Sequence, residues 1–260
     1  MCCLRIVKPN HTSPTSSAAP IRSDLLSLDG VLAQGEVHVW HTEVTFQENV
    51  VNTRFRILDA AEQERASRFL VPAARTQFVL SRSFLRIVLG RYLAIEPVDV
   101  RFRTAKHGKP ELADSSLQFN LSHTEGITVI ALCRDWRVGV DVERIRENLK
   151  PLELAQRFFS KKEVDWLRAQ PAAERFSAFF ACWAAKESYI KALGDGLSMP
   201  LADFGIIPLG GNKKLELEIY ANPGAARLWS VWQLDLGTGL RSALAVEKEG
   251  CTIRIGQWPG

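Results

Sequence analysis

Twice along this chain a run with the two-residue period of a strand gives way to a long helical stretch and then to further strand-like runs. The first series opens at Glu36-Val37-His38-Val39-Trp40 and passes through a helical stretch from Leu58 to Arg91. It resumes at Val100-Arg101-Phe102, Leu117-Gln118-Phe119 and Ile127 to Cys133. The second opens at Val138-Gly139-Val140-Asp141-Val142-Glu143, continues into a helical stretch from roughly 150 to 194, and closes near Leu215 to Tyr220, Trp229 to Leu236 and Ala243 to Glu247. That doubled order predicts a mixed α/β (α+β) chain of two similar halves meeting near Glu143 to Lys150. Within the first helical stretch Asp59 is the expected N-cap, and Pro72 the expected break between two helices. The expected organisation is a flexible leader over 1–30, an N-terminal α/β half over 31–145, a C-terminal α/β half over 146–250 and a tail over 251–260. The leader follows from Lys8 to Pro20, whose Pro, Ser, Thr and Ala build no core.

A chain of 260 residues is long enough to bury a substantial core. No run approaches the roughly eighteen apolar residues of a membrane span, and the N-terminus lacks the apolar centre of a secretory signal. The five cysteines (Cys2, Cys3, Cys133, Cys182 and Cys251) show no metal-type spacing beyond the adjacent first two, which predicts reduced thiols and a cytoplasmic location. Charge is unevenly placed. Between Arg54 and Lys109 ten arginines and two lysines face five acids, a net of +7 against +4 for the whole chain. Such a segment suits an anionic partner or a solvated arginine-rich helix face.

Asp141 and Glu143 fall on one face of a strand, about 6–7 Å apart, with Val138, Val140 and Val142 facing the core. Like charges so placed repel unless water or a cation separates them, so a solvated strand face and a hard-cation site both stay open. Helical periodicity then sets Trp183, Glu187 and Lys191 on one face of the stretch Phe179 to Lys191. A surface Glu–Lys pair contributes only about 0.3–0.5 kcal/mol. It does not account for the aromatic run before it, where a buried acid needs a metal or a partner. Asn120-Leu121-Ser122-His123 closes an apolar strand. With no G-x-S-x-G elbow, Ser122 and His123 read as donors to an anion or as strand-end structure rather than as a nucleophile pair.

Four words occur in order: His107-Gly108-Lys109-Pro110; Phe119-Asn120-Leu121-Ser122-His123; Val138 to Glu143; and Phe158-Phe159-Ser160-Lys161-Lys162-Glu163 leading to Trp183-Ala184-Ala185-Lys186-Glu187-Ser188-Tyr189-Ile190-Lys191. Together they resemble the 4′-phosphopantetheinyl transferases of the surfactin-synthetase-activating type, from about Leu58 to Leu201. Asp-x-Glu alone is a weak signal, whereas the ordered set with W-x-x-K-E-x-x-x-K is highly specific. The resemblance implies a pseudo-dimer of two similar α/β halves with the active site in the cleft between them. It implies transfer of the phosphopantetheine arm of coenzyme A to a serine of an apo acyl, polyketide or peptidyl carrier protein, releasing 3′,5′-adenosine bisphosphate.

By the same resemblance Asp141, Glu143 and Glu187 would hold Mg²⁺ or Mn²⁺, and Ser122, His123 and Lys191 would contact the coenzyme A phosphates. Arg65 and Arg82 would add phosphate contacts, Lys109 and Pro110 would flank the adenine partly through backbone groups, and Lys186 joins the coenzyme A contacts. Glu187 is the expected base and Lys191 the group that neutralises the bridging or leaving oxygen. Where a relative carries lysine three residues before Arg65, this chain has Glu62, so that contact is expected to be missing. Phe158 and Phe159 read as carrier contacts or as core, with Arg157, Lys161 and Lys162 placed to steer an acidic carrier. One chain supplying both halves of the cleft implies a monomer.

Rival readings use less of the sequence. A nucleic-acid binder would need exposed aromatics among the arginines, and Phe69, Phe78, Phe84 and Tyr92 are spaced for a helix core instead. Another metal-dependent phosphoryl transferase would need a Gly-rich phosphate loop, which is absent. A member without activity is disfavoured by the presence of all three acids and Lys191. Neither nucleic acid nor membrane is an expected partner.

Overall fold

The doubled order folds as two sheets laid face to face, with a long helix on each outer face. The computed structural model describes residues 31–44, 47–105, 108–113, 115–194, 199–207 and 213–258. The expected leader over 1–30, with Cys2 and Cys3, and His107 lie outside the described residues.

The first part contains β1 (Glu36–Glu43), α1 (Glu48–Phe55), α2 (Ala60–Ser67), α3 (Pro72–Leu93), β2 (Phe102–Thr104), β3 (Pro110–Leu112), β4 (Leu117–Thr124) and β5 (Ile127–Arg134). The second contains β6 (Val138–Arg144), α4 (Pro151–Phe158), α5 (Lys161–Ala169), α6 (Arg175–Leu193), β7 (Phe204–Ile207), β8 (Lys214–Ile219), β9 (Ser230–Leu234), β10 (Leu240–Val246) and β11 (Thr252–Gln257). Asp59 caps α2, as expected, and forms a capping box with Glu62; Pro72 opens α3 at the expected break between helices.

One sheet runs β11-β1-β5-β4 and the other β6-β10-β9-β8-β7, with β2 and β3 a separate hairpin. Alternation assigns each strand two jobs. Trp40, Phe119, Ile130 and Leu132 face α3 and meet Phe84, Leu85, Val88 and Leu89. Val37, Val39, Val129 and Ala131 face inward, against Val138, Val140, Leu244 and Val246 of the second sheet. The outer face of that sheet, with Val231, Ala243 and Ala245, receives Ala184, Ala185 and Tyr189 of α6. The layers are therefore helix, sheet, sheet, helix, and the middle core belongs to both sheets.

Two expected boundaries move. β6 pairs antiparallel with β10, so the passage from one sheet to the other falls between β5 and β6 rather than after residue 145. Residues 251–260, expected as a tail, contribute β11, which pairs parallel with β1 from Glu36↔Thr252 to His41↔Gln257. A parallel partner that returns from the far end of the chain leaves no local sign in its own sequence. Neither does α1, whose only buried residue is Val51. Among the described residues no helix is long and apolar enough to cross a membrane.

The layer that positions the site is α6 on β6. The approach is so close that a Cβ built on Gly139 would lie 2.1 Å from Ser188 O and 2.4 Å from Ala192 N. Both obstacles are helix backbone and cannot rotate away. Gly139→Ala should therefore push α6 off β6 and cost about 3 kcal/mol, the upper end of ordinary overpacking. Urea unfolding measures this, and a loss below about 1 kcal/mol would show the contact to be loose.

Candidate active site

β4 and β6 are edge strands of different sheets and run side by side, joined by side chains. Asn120 Oδ1 accepts the Val140 N–H at 2.9 Å, and Ser122 Oγ accepts the Val142 N–H at 3.3 Å. The Ser122 hydroxyl donates to Asp141 Oδ1 at 3.0 Å. Lys191, reaching down from α6, donates to Ser122 Oγ at 3.0 Å and to Asp141 Oδ1 at 2.5 Å. Asp141 is 4% exposed. Its Oδ2 is buried and has no hydrogen-bond partner among the described residues. A buried carboxylate oxygen without a protein donor is costly, and a cation or a further donor would satisfy it.

Glu143, two residues along β6, and Glu187, one helical turn before Lys191, face the same cleft of about 760 Å³. Burial, then the charge of Asp141, pushes both carboxyls above the usual range. Lys191 opposes the shift at both, and Arg146, 3.5 Å from Glu143, opposes it there. Arg146 is exposed, where an ion pair contributes little. Three acids thus face one buried-side ammonium. Partial burial, then Lys191, draws the His123 imidazole below its ordinary value, leaving it a neutral donor or acceptor at the cleft mouth. The far wall is apolar: Phe158, Trp183, Met199 and Leu201.

Leu121 and His123 also line a second groove of about 460 Å³ toward the first sheet. Its cations are Arg65, lying over Phe78 at 5.1 Å, and Arg82, lying over Phe102 at 4.1 Å. Pro110 and Gly108 close the opposite side. Glu62 lines this groove too and ion-pairs with Arg82 and with the buried Arg86. Arg86 also pairs with Asp59 and donates to the carbonyls of Pro97 and Val100 at 3.1 and 3.0 Å. Part of the basic segment is therefore internal structure, since Arg86 has no exposed surface.

The fold brings together Asp141, Glu143, Glu187, Lys191, Ser122 and His123, and sets Arg65, Arg82 and Pro110 in the adjoining groove. Lys186 is elsewhere, which corrects its expected role. It is fully buried on a different face of α6, donating to Glu163 Oε1 and Oε2 at 2.7 and 2.9 Å and to Phe204 O at 2.6 Å. The Lys109 ammonium turns away from the groove and donates to the Val138 and Ala192 carbonyls. Phe159 is core, stacked on Phe179, whereas Phe158 lines the cleft. Lys161 and Lys162 are exposed but paired with Asp165 and Glu218. Sequence reading missed the bridging amide of Asn120 and the wall residues Met199 and Leu201. The latter follow α6 in a stretch with no periodicity to read.

Among the described residues no three His, Cys, Asp or Glu side chains are gathered closely enough to hold a metal ion by themselves. The donor set nevertheless suits Mg²⁺. Its oxygens are hard, one of them is orphaned, and Mg²⁺ draws only one or two ligands from carboxylates, completing its shell with water and substrate phosphates.

Comparison with known proteins bears on the same residues. Residues 137–245 match the family described as the 4′-phosphopantetheinyl transferase superfamily, and residues 45–134 match 4′-phosphopantetheinyl transferase, N-terminal. The chain is 37% identical over 171 residues to 4′-phosphopantetheinyl transferase HetI of Nostoc sp., covering 64% of this chain and 72% of that protein. It is 33% identical over 185 residues to 4′-phosphopantetheinyl transferase Sfp of Bacillus subtilis, covering 69% of this chain and 80% of the relative. Among solved structures, the holo-acyl-carrier-protein synthase of Thermotoga maritima aligns with 42% of this chain and 61% of its own, at 23% identity and a TM-score of 0.33.

Two outcomes follow from the charges. Lys186→Met leaves Glu163 buried without its counter-ion and should cost about 3–5 kcal/mol in urea unfolding, with part recovered in the double variant with Glu163→Gln. Glu187 and Glu143 hold their protons more tightly folded than unfolded, so the fold loses stability as pH rises through their raised pKa values. Glu187→Gln should therefore raise Tm by about 1–3 °C at pH 7 without divalent cations, and the gain should vanish near about pH 4, where both forms are neutral. Calorimetry across that range decides it, and a lowered Tm at pH 7 would contradict the repulsion.

Proposed function

The chain belongs to the 4′-phosphopantetheinyl transferase superfamily and is a transferase; from that premise we propose that it moves the phosphopantetheine arm of coenzyme A to a serine of an apo acyl, polyketide or peptidyl carrier protein, releasing 3′,5′-adenosine bisphosphate. The observation that carries the reading is Asp141, pinned by Lys191 and Ser122 on one oxygen and left without a partner on the other. It lies where an apolar cleft meets a basic groove. Coenzyme A has matching parts. Its bisphosphorylated adenosine suits the groove of Arg65 and Arg82, its pyrophosphate the junction at Ser122, His123 and Lys191, and its uncharged arm the wall of Phe158, Trp183 and Leu201.

Asp141, Glu143 and Glu187 would hold Mg²⁺ or Mn²⁺, which when bound supplies charge stabilisation at the pyrophosphate. The chain's own groups account for the proton and the leaving group. Glu187, its carboxyl raised by burial toward the pH of catalysis, accepts the proton of the carrier serine. The serine oxygen bonds to the phosphorus that bears the pantetheine arm. The bond from that phosphorus to the bridging oxygen breaks, and its electron pair leaves on 3′,5′-adenosine bisphosphate. Lys191 donates to the charge that grows on the departing oxygen. Carrier docking beside the cleft would use Phe158, with Arg157, Lys161 and Lys162 attracting an acidic partner. Both walls come from one chain, which supports a monomer.

Intact mass spectrometry of apo carriers incubated with this protein, coenzyme A and Mg²⁺ tests the reading. The expected product is one added phosphopantetheinyl group, abolished by EDTA and by Asp141→Ala. Glu187→Gln should lower kcat by about 10²–10⁴ at saturating Mg²⁺. No addition to carriers of the fatty-acid, polyketide and peptide-synthetase classes would overturn the activity, and near-normal turnover of Glu187→Gln would remove the base assignment.

A further inference from the structure

Lys109 sits in the β2–β3 hairpin that closes the basic groove. Thr104 pairs with Pro110, the Ala105 N–H donates to Lys109 O at 2.9 Å, and the Gly108 N–H donates to Ala105 O at 2.9 Å with Gly108 at φ +88°. Thr104, Gly108 and Pro110 turn toward Arg65 and Arg82 across that groove. The Lys109 side chain does not. It crosses to the other half of the molecule, where its ammonium donates to Val138 O at 3.1 Å and to Ala192 O at 3.2 Å.

Both acceptors stand next to the cleft residues. Val138 opens β6, the strand that carries Asp141 and Glu143, and Ala192 directly follows Lys191 on α6. One ammonium therefore ties the hairpin to the two elements that bear the acid cluster. The C-terminal end of α6 is a favourable place for it, because the last carbonyls of a helix lack partners and carry its negative pole. Gly194, in the left-handed cap after α6 at φ +77°, leaves room for the stem, since a Cβ there would lie 3.3 Å from Lys109 Cδ. Burial lowers the lysine's pKa to about 8, a cost that filling the space with an apolar side chain would have avoided.

We propose that Lys109 is a positioning residue that fixes the spacing between the basic groove and the acid cleft, and so governs the binding of a ligand that must occupy both. The inference rests on the coenzyme A reading above. Coenzyme A spans the two compartments across Leu121 and His123, whereas 3′,5′-adenosine bisphosphate fills the groove and stops at that junction, without the arm that enters the cleft. A spacing device acts on the long ligand alone, while a groove contact or a general loss of structure acts on both.

Titration calorimetry of wild type, Lys109→Met and Lys109→Arg with each ligand separates these cases. The methionine variant should bind coenzyme A about tenfold more weakly and 3′,5′-adenosine bisphosphate within about twofold of wild type. Lys109→Arg, which keeps two donors for the two carbonyls, should restore the affinity for coenzyme A. Should the methionine variant fail to melt cooperatively, Lys109→Gln, whose amide stops short of both carbonyls, should show the same split. Equal weakening of both ligands, or none of either, with wild-type binding intact, would overturn the spacing role. Failure of the wild type to bind coenzyme A at all would overturn the functional reading along with it.

Discussion

Everything in the candidate site hangs on the contact between α6 and β6. Asp141 and Glu143 come from the strand, Glu187 and Lys191 from the helix, and they meet because the two backbones touch at Gly139. A side chain there would push the helix off the strand across which Lys191 and Asp141 meet at 2.5 Å. The helix is fixed from its other face as well. Glu163 holds Lys186 by both oxygens, accepts the Ile206 N–H at 2.8 Å and accepts the Ser160 N–H at 2.9 Å. One carboxylate thereby joins α5, α6 and β7. The pair is fully buried and fully satisfied, the condition under which a buried ion pair specifies one arrangement rather than merely costing desolvation.

The electrostatic design separates two uses of charge that look alike in composition. Arg86 and Lys186 are internal, each bound to carboxylates and main-chain carbonyls. Arg65, Arg82 and Lys191 keep a face toward the grooves. The first kind holds the walls, and the second kind stays open to the grooves. In the acid cluster the balance is reversed: carboxylates outnumber their cations, and burial with the charge of Asp141 raises the pKa of Glu143 and Glu187, so ionising those two works against the fold.

Sequence periodicity was informative where a partner lay on the same strand or helix. The alternation of Val138 to Glu143 gave the buried valines and the two acids on the opposite face, and the four-residue step set Trp183, Glu187 and Lys191 along one cleft. It failed where the partner lay across the fold. Lys186 stands next to Glu187 in sequence, but 100° of helical turn carries it to Glu163, and Lys109 belongs to a groove-lining hairpin yet bonds a carbonyl 83 residues away. Glu62 shows both effects. It follows Asp59, whose N-cap role was legible, whereas its grip on Arg82 and Arg86 required the packing of α2 on α3. The strand at residues 252–257 was invisible for the same reason, because its partner lies at the opposite end of the chain.

That strand has a consequence for how the molecule is made. β11 lies alongside β1, and Arg254 bonds Glu36 across 218 residues. A ribosome delivers β1 well before β11, so the first sheet stays one strand short while the second half is synthesised. Until then β1 presents an unpaired edge, the kind of surface that recruits chaperones or neighbouring chains. Closure of the sheet is a late, long-range event, which makes the folding of the N-terminal half contingent on completing the C-terminal one.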